Sequence, residues 1–260
     1  SRSALTILGI VIGITAIILV MTLGQSAQNL ILGEVQGLGP NNVFVIPGKQ
    51  PKGLSGIGGT LLNDSLKSKD VDDLSKKANV PDAVRVVPFV FGPATASYES
   101  ESYAATVLGG TPDLLKIYNL EIRKGDFFSA DDVLSRSSVV ALGQKVVDKL
   151  FGFDNPIGQN VKIKNKNFRV IGILGPKGQS PFINFDETAL VPYTAAQQYI
   201  LGIRYIQRIV VEAKSLDAVP HVVKDVTALL RNNHNISNPD DDDFFVQTQA
   251  DLAKTLTSIT

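Results

Sequence analysis

Residues 4–23, ALTILGIVIGITAIILVMTL, form one uncharged apolar run directly behind Arg2. A helix rises 1.5 Å per residue, so about 20 residues span about 30 Å, the thickness of a bilayer's hydrocarbon core. A secretory signal has a shorter apolar region, about 7–15 residues, which favours a retained transmembrane helix over a cleaved leader. Arg2 flanks the run on one side and Glu34 is the first charge on the other. By the positive-inside rule the N-terminus is expected in the cytoplasm and the bulk of the chain outside it. Gly9 and Gly13 stand four apart, the small-xxx-small spacing that lets a second helix approach closely. Beyond Leu23, apolar residues at Ala27, Leu30, Ile31, Val35 and Leu38 keep a helical period. The helix is therefore expected to continue as a stalk, with a face at Leu30, Ile31 and Val35, and to stop at Gly37-Leu38-Gly39-Pro40.

The 260 residues carry 25 basic and 25 acidic side chains and no Cys. Zero net charge and no Lys/Arg-rich run argue against nucleic acid as a partner. Without Cys, disulfides and thiolate metal sites are excluded. Because it starts at Ser1, the chain is expected to be processed or a piece of a longer one.

Outward from the stalk, Asn42–Ile46 predicts a strand, and residues 47–63 a Gly/Pro/Lys-rich loop. Ser68–Ala78 predicts a helix capped by Ser68, with acidic residues near its positive end. Val84–Val90, Thr95–Tyr98 and Tyr103–Gly109 predict strands. From Thr111 the texture changes. There follow a short helix at Asp113–Tyr118, a turn at Gly125-Asp126-Phe127-Phe128, a strand at Ser138–Leu142 and a helix at Gln144–Phe151. A hairpin turns around Asn165-Lys166, a strand spans Phe185–Pro192 and a helix Thr194–Leu201. Ile206–Ala213, Leu216–Asn232 and Phe244–Gln247 then predict strand, helix and strand. Thr248–Thr260 opens a further helix with Leu252, Leu256 and Ile259 on one face. The expected fold class is α+β. A transmembrane and stalk helix (1–39) precedes a split βαβ-type subdomain made from both ends (40–110 and 203–247). A smaller, mainly β subdomain (111–202) is inserted between the halves, and a second stalk helix begins at 248–260.

Motifs for chemistry are absent from the sequence. His221 and His234 have no partner at zinc-ligand spacing, and surface roles are expected for both. Asp240–Asp243 lacks the alternation, central Gly and terminal Glu of a calcium loop, so a solvated turn is expected. No Gly-x-Ser-x-Gly elbow and no Walker pattern occur. Asp186 and Glu187 are neighbours on an expected strand, so they point to opposite faces and make a poor acid–base pair. The polar loop Lys177–Ser180 is expected to hydrogen-bond within its own domain. No catalytic, cofactor or metal site is expected, and the chain is not expected to be an enzyme.

Five segments in order resemble MacB/FtsX-type ABC transporter permeases. SRSALTILGIVIGITAIILVMTLGQSAQ (1–28) resembles their first transmembrane helix, and LGPNNVFVIPG (38–48) the strand that opens their extracytoplasmic domain. Residues 137–174 and 175–202 are similar to that domain's inserted unit, and DFFVQTQADLAKTLTSIT (243–260) to the approach to the second transmembrane helix. The resemblance implies a permease subunit of the cell (cytoplasmic) membrane, with four membrane helices and its large domain extracytoplasmic. Implied partners are an ABC ATPase subunit or domain, a second permease protomer, membrane lipid and, as an open further case, a periplasmic adaptor. The implied mechanism is mechanotransmission of ATP-driven movement. The alternative kept open is the extracytoplasmic sensor domain of a membrane signalling protein.

Overall fold

The computed structural model describes residue 7 and residues 9–24, 39–49, 63–180 and 183–257. Residues 9–24 are helical, and their large apolar side chains from Ile10 to Leu23 are 53–70 % exposed. Among the described residues no helix is long and apolar enough to cross a membrane. The first residues of the apolar run, and all of 25–38, lie outside the described set.

The domain begins with β1 (Asn42–Pro47), α1 (Ser68–Leu74), β2 (Ala83–Tyr98) and β3 (Glu101–Gly110). Next come α2 (Leu114–Ile117), β4 (Ile122–Gly125), α3 (Ala130–Ser135), β5 (Val139–Leu142) and α4 (Gln144–Phe151). The hairpin β6 (Asn160–Ile163) and β7 (Lys166–Leu174) is followed by the small β8 (Gln179–Ser180) and β9 (Ile183–Asn184). Then β10 (Thr188–Pro192) leads into α5 (Tyr193–Ala195), which continues as a π-helical turn over Ala196–Leu201. The chain closes with β11 (Arg208–Ala213), α6 (Val219–His234), β12 (Phe244–Thr248) and α7 (Gln249–Thr257).

Four strands lie in the order β12-β1-β11-β2, each antiparallel to its neighbour. In chain order this is β1-α1-β2 and β11-α6-β12, with each βαβ unit split by a strand of the other, the expected arrangement. Helix α6 puts Val219, Val222, Val226 and Leu230 into the core, starts with Pro220 in its first turn and stops at Asn235 in the left-handed region. Helix α1 packs beside it. A second set of strands closes on itself: β2–β3, β3–β10, β10–β5, β5–β7, β7–β6 and β6–β2 all hydrogen-bond. The β3–β10 and β5–β7 pairs are parallel, and accordingly β5 (VVAL) and β10 (TALVP) are buried along their whole length. Helix α4 packs on β2, β3 and β7 and buries Val146, Val147, Leu150 and Phe151.

Strand β2 belongs to both sets. Ala83–Phe89 pairs with β11, and Val90–Tyr98 pairs with β3. The sequence suggests separate strands at Val84–Val90 and Thr95–Tyr98, but the structure holds one strand of 16 residues. Phe91 N–H donates to Gln207 Oε1, and Thr95 C=O accepts from Lys164 N–H, both on the edge away from β3. By the alternation of a strand, Pro93 turns its missing N–H to that same edge, between the two partners, where no ladder needs it. The sheet is also continuous across residue 110, because β3 is hydrogen-bonded to β10. The change of partners falls at Phe89/Val90, inside β2. Three smaller differences follow from local contacts. Helix α1 ends at Leu74, and its N-terminus is closed by Asp70 accepting from Lys67 N–H. The turn expected at 125–128 starts on Gly125, the last residue of strand β4, which is short and mostly exposed. Helix α3 is short as well, with one buried side chain.

Candidate functional site

The two ends of the domain meet on one pair of strands. Val43, at the start of β1, is in register with Thr248, the last residue of β12. The chain thus enters the sheet from the N-terminal side and leaves it into α7 at the same end of two hydrogen-bonded strands. Helix α7 starts with a capping box: Thr248 N–H donates to Asp251 Oδ2 at 3.1 Å, and Asp251 N–H donates to Thr248 Oγ1 at 3.1 Å. Leu252, one turn in, packs half-buried against the core.

At the opposite end of β1 and β12 a polar cluster ties the helices down. The His234 side chain is 9 % exposed, with Nδ1 2.7 Å from Asp243 Oδ1 and Nε2 3.3 Å from Asp70 Oδ2. Asn233 Nδ2 donates to Asp70 Oδ1 at 2.9 Å and to Asp73 Oδ2 at 3.2 Å. Arg231 grips Asp242 through two bonds, 2.8 and 2.7 Å. The bond to Asp70, opposed by burial and aided by Asp243, raises the His234 pKa to about 8. Burial works to raise the Asp70 pKa, but bonds from His234, Lys67 N–H and Asn233 outweigh it and hold the carboxyl below its usual value.

Strand β2 joins the four-stranded set to the ring of strands, and two sets of contacts lie at that junction. Gln207 binds β2 twice, its N–H donating to Phe89 C=O and its Oε1 accepting from Phe91 N–H. A run of aromatic contacts, Phe89–Tyr118 at 5.6 Å and Tyr118–Phe185 at 5.0 Å, crosses from β2 through the end of α2 to the turn before β10.

The residues singled out in the sequence have separate fates. Gly9 and Gly13 are on the described helix, and nothing comes within 4 Å of a methyl built on either. Leu30, Ile31, Val35 and Ile259 lie outside the described residues, and Leu256 is known only by its place in α7. His221 is exposed, 3.4 Å from Asp82. His234 departs from the expected surface role, because α6 delivers its last turn against α1 and the β12 approach. Only the adjacency of α1 and α6 brings Asp70 to it, and no sequence spacing signals that. The aspartate run is likewise recruited in part, with Asp242 and Asp243 engaged as described. In the loop after β7, Lys177 N–H and Gly178 N–H donate to the Asp186 carboxylate at 2.9 and 3.1 Å, an intradomain role.

The arrangement defines a class: an α+β domain whose two ends share neighbouring strands, with an apolar helix before it and a helix starting after it. The chain belongs to the family of the MacB-like periplasmic core domain, which matches residues 3–229. It is 34 % identical over 204 residues to the macrolide export ATP-binding/permease protein MacB of Syntrophobacter fumaroxidans. That match covers 77 % of this chain and 28 % of the relative. It is 30 % identical over 260 residues to the protein of the same name from Chlorobium luteolum, covering 100 % of this chain and 38 % of that one. In fold it is similar to the periplasmic region of MacB from Actinobacillus actinomycetemcomitans, with TM-score 0.72 and 23 % identity. That likeness covers 88 % of this chain and 99 % of the other. The chain thus spans between about a quarter and two fifths of these two relatives. Membership makes the domain an extracytoplasmic one of the MacB-like kind and favours that reading over a sensor domain.

Proposed function

We propose that the chain is the first membrane span and the extracytoplasmic domain of an ABC export permease, and that it carries ATP-driven movement from the membrane into that domain. The pairing of Val43 with Thr248 carries this reading. Two helices rooted on hydrogen-bonded neighbours move the same sheet when either shifts, and β2 conveys the shift to the closed ring. The apolar helix 9–24 supports a membrane location, since a contiguous exposed apolar surface marks contact with lipid or another protein. Within it, Thr22 Oγ1 donates to Ile18 C=O at 2.7 Å, which satisfies the hydroxyl inside the helix. The span covers residues 4–23, with Gly9 and Gly13 as the face for a neighbouring helix. Leu30, Ile31 and Val35 face Leu256 and Ile259 along the stalks, while Leu252 anchors α7 to the domain.

The ATPase is a separate subunit or domain, and a second protomer completes the permease, with a periplasmic adaptor as a further partner. The domain does no chemistry of its own. Its division follows β2: 42–89 with 208–248 next to the stalks, and 90–207 beyond. The test is to insert Gly-Gly after Thr248 in the parent transporter, reconstituted with its ATPase. The expected result is continued ATP hydrolysis with export reduced at least tenfold. Export at the unmodified rate contradicts the reading.

A further inference from the structure

The cluster around His234 joins three elements that share no ladder: α1 through Asp70, the last turn of α6, and the turn that opens β12 through Asp243. An imidazole has two ring nitrogens, but both donate only when it is protonated. Here both nitrogens face carboxylate oxygens, so the arrangement is complete only with imidazolium. The charged groups around the ring are consistent with that. From α1 come Asp70, held by Lys67 N–H and Asn233, and Asp73, paired with Lys76 at 2.8 Å. From α6 comes Arg231, committed to Asp242. From the 239–243 turn come Asp242 and Asp243, with Lys49 Nζ donating to Asp240 C=O at 3.0 Å. From β12 the neighbour is the uncharged Phe244 ring, edge-on with centroids 5.7 Å apart.

We propose that His234 is a proton-operated clasp, whose imidazolium fastens the start of root strand β12 to α1 and whose deprotonation unties that start from α1, leaving β12 held by its ladder to β1. Burial decides which bond breaks. The neutral ring keeps one N–H, and the nitrogen that loses its proton turns a lone pair toward a carboxylate. The Asp70 side chain is 3 % exposed and that of Asp243 43 %. Repulsion at the buried Asp70 has no water to relieve it, whereas Asp243 can turn into solvent. The proton therefore stays on Nε2, and Asp243 is released. Asp243 C=O also accepts from Gly48 N–H and from Ser65 Oγ, at 2.6 and 2.7 Å. Those main-chain bonds stay when the carboxylate turns away, so what is lost is the tie through His234 of the turn before β12 to α6 and α1, and β12 is then held by its ladder to β1.

The raised pKa sets the direction. The clasp contributes fully below the ordinary imidazole value of 6.5 and is lost as pH rises through about 8. This inference concerns the stiffness of the root strands and stands independently of the transport reading. With only two histidines in the chain, carbon-13 histidine labelling of the full chain in detergent micelles resolves His234 from His221. Hydrogen exchange at pH 6.5 and 9, corrected for intrinsic rates, reads β12 against β5 in the same sample. The expected result is a His234 midpoint near 8 and a loss of β12 protection on the order of tenfold relative to β5. In His234→Gln the pH dependence of β12 should vanish. A His234 midpoint at or below 6.5 overturns the proposal, as does β12 protection that tracks β5, or pH dependence that survives in His234→Gln. Should that variant not fold, Asp70→Asn serves instead. The His234 midpoint must then fall, and an unmoved midpoint overturns the proposal.

Discussion

A methyl group on Gly172 would stand 2.1 Å from the Asp126 carbonyl oxygen, and one on Gly125 would stand 2.2 Å from the Ile171 carbonyl oxygen. The two glycines face each other in the β4–β7 register, and Gly125 has φ of +81°. Neither clash is with a side chain that can swing away, so backbone must move. Gly172→Ala is therefore expected to cost about 1–3 kcal/mol, read as a lower denaturant midpoint. Gly125→Ala should cost more, since left-handed strain is added to the contact. Equal or higher stability in both variants would contradict the packing described. At this scale the sequence says least. Gly125 is legible as part of a turn, but its contact with β7 is not. His234 and His221 look alike on paper, yet one is wedged between two carboxylates and the other faces solvent. Partners from 164 and 9 residues away make that difference.

Helix α7 needs its cap, because it begins in an exposed position directly after an edge strand. Asp251 accepts from Thr248 N–H and Oγ1, at 3.1 and 2.7 Å, and closes the first turn. Thr248→Ala, which removes the N-cap hydroxyl that Asp251 N–H donates to, is expected to cost α7 about 0.5–2 kcal/mol. Hydrogen exchange should show faster exchange in residues 249–257 with β5 unchanged, and unchanged exchange in α7 would remove the cap from the account. Elements of this kind are the legible level. Most strands and helices stand within a few residues of where periodicity and caps place them, since the apolar pattern that marks them is also what the core buries. The long β2 is the largest exception, beside the short β4 and α3. Gly92-Pro93 carries the local signature of a break, and only the open edge between Gln207 and Lys164 shows why a proline is tolerated there.

Across the whole molecule, two sheets share one strand, and the buried apolar residues of both form a single contiguous core. The split βαβ arrangement could be anticipated from element order, because each βαβ unit is local in its half of the chain. The closing of six strands into a ring could not, since it depends on the two-residue pairing of β6 with β2, about 65 positions apart in the chain. The central claim is that the paired roots of β1 and β12 move as one lever under nucleotide control. The direct measurement places spin labels at Lys254, exposed on α7, in both protomers of the parent transporter with its ATPase. A second, intramolecular pair is placed at Leu134 and Phe153, exposed sites of the distal unit. Pulsed dipolar spectroscopy should show the Lys254 distance between protomers changing from the nucleotide-free to the vanadate-trapped state while the Leu134–Phe153 distance stays fixed. An unchanged Lys254 distance in a transporter that still hydrolyses ATP would contradict the account.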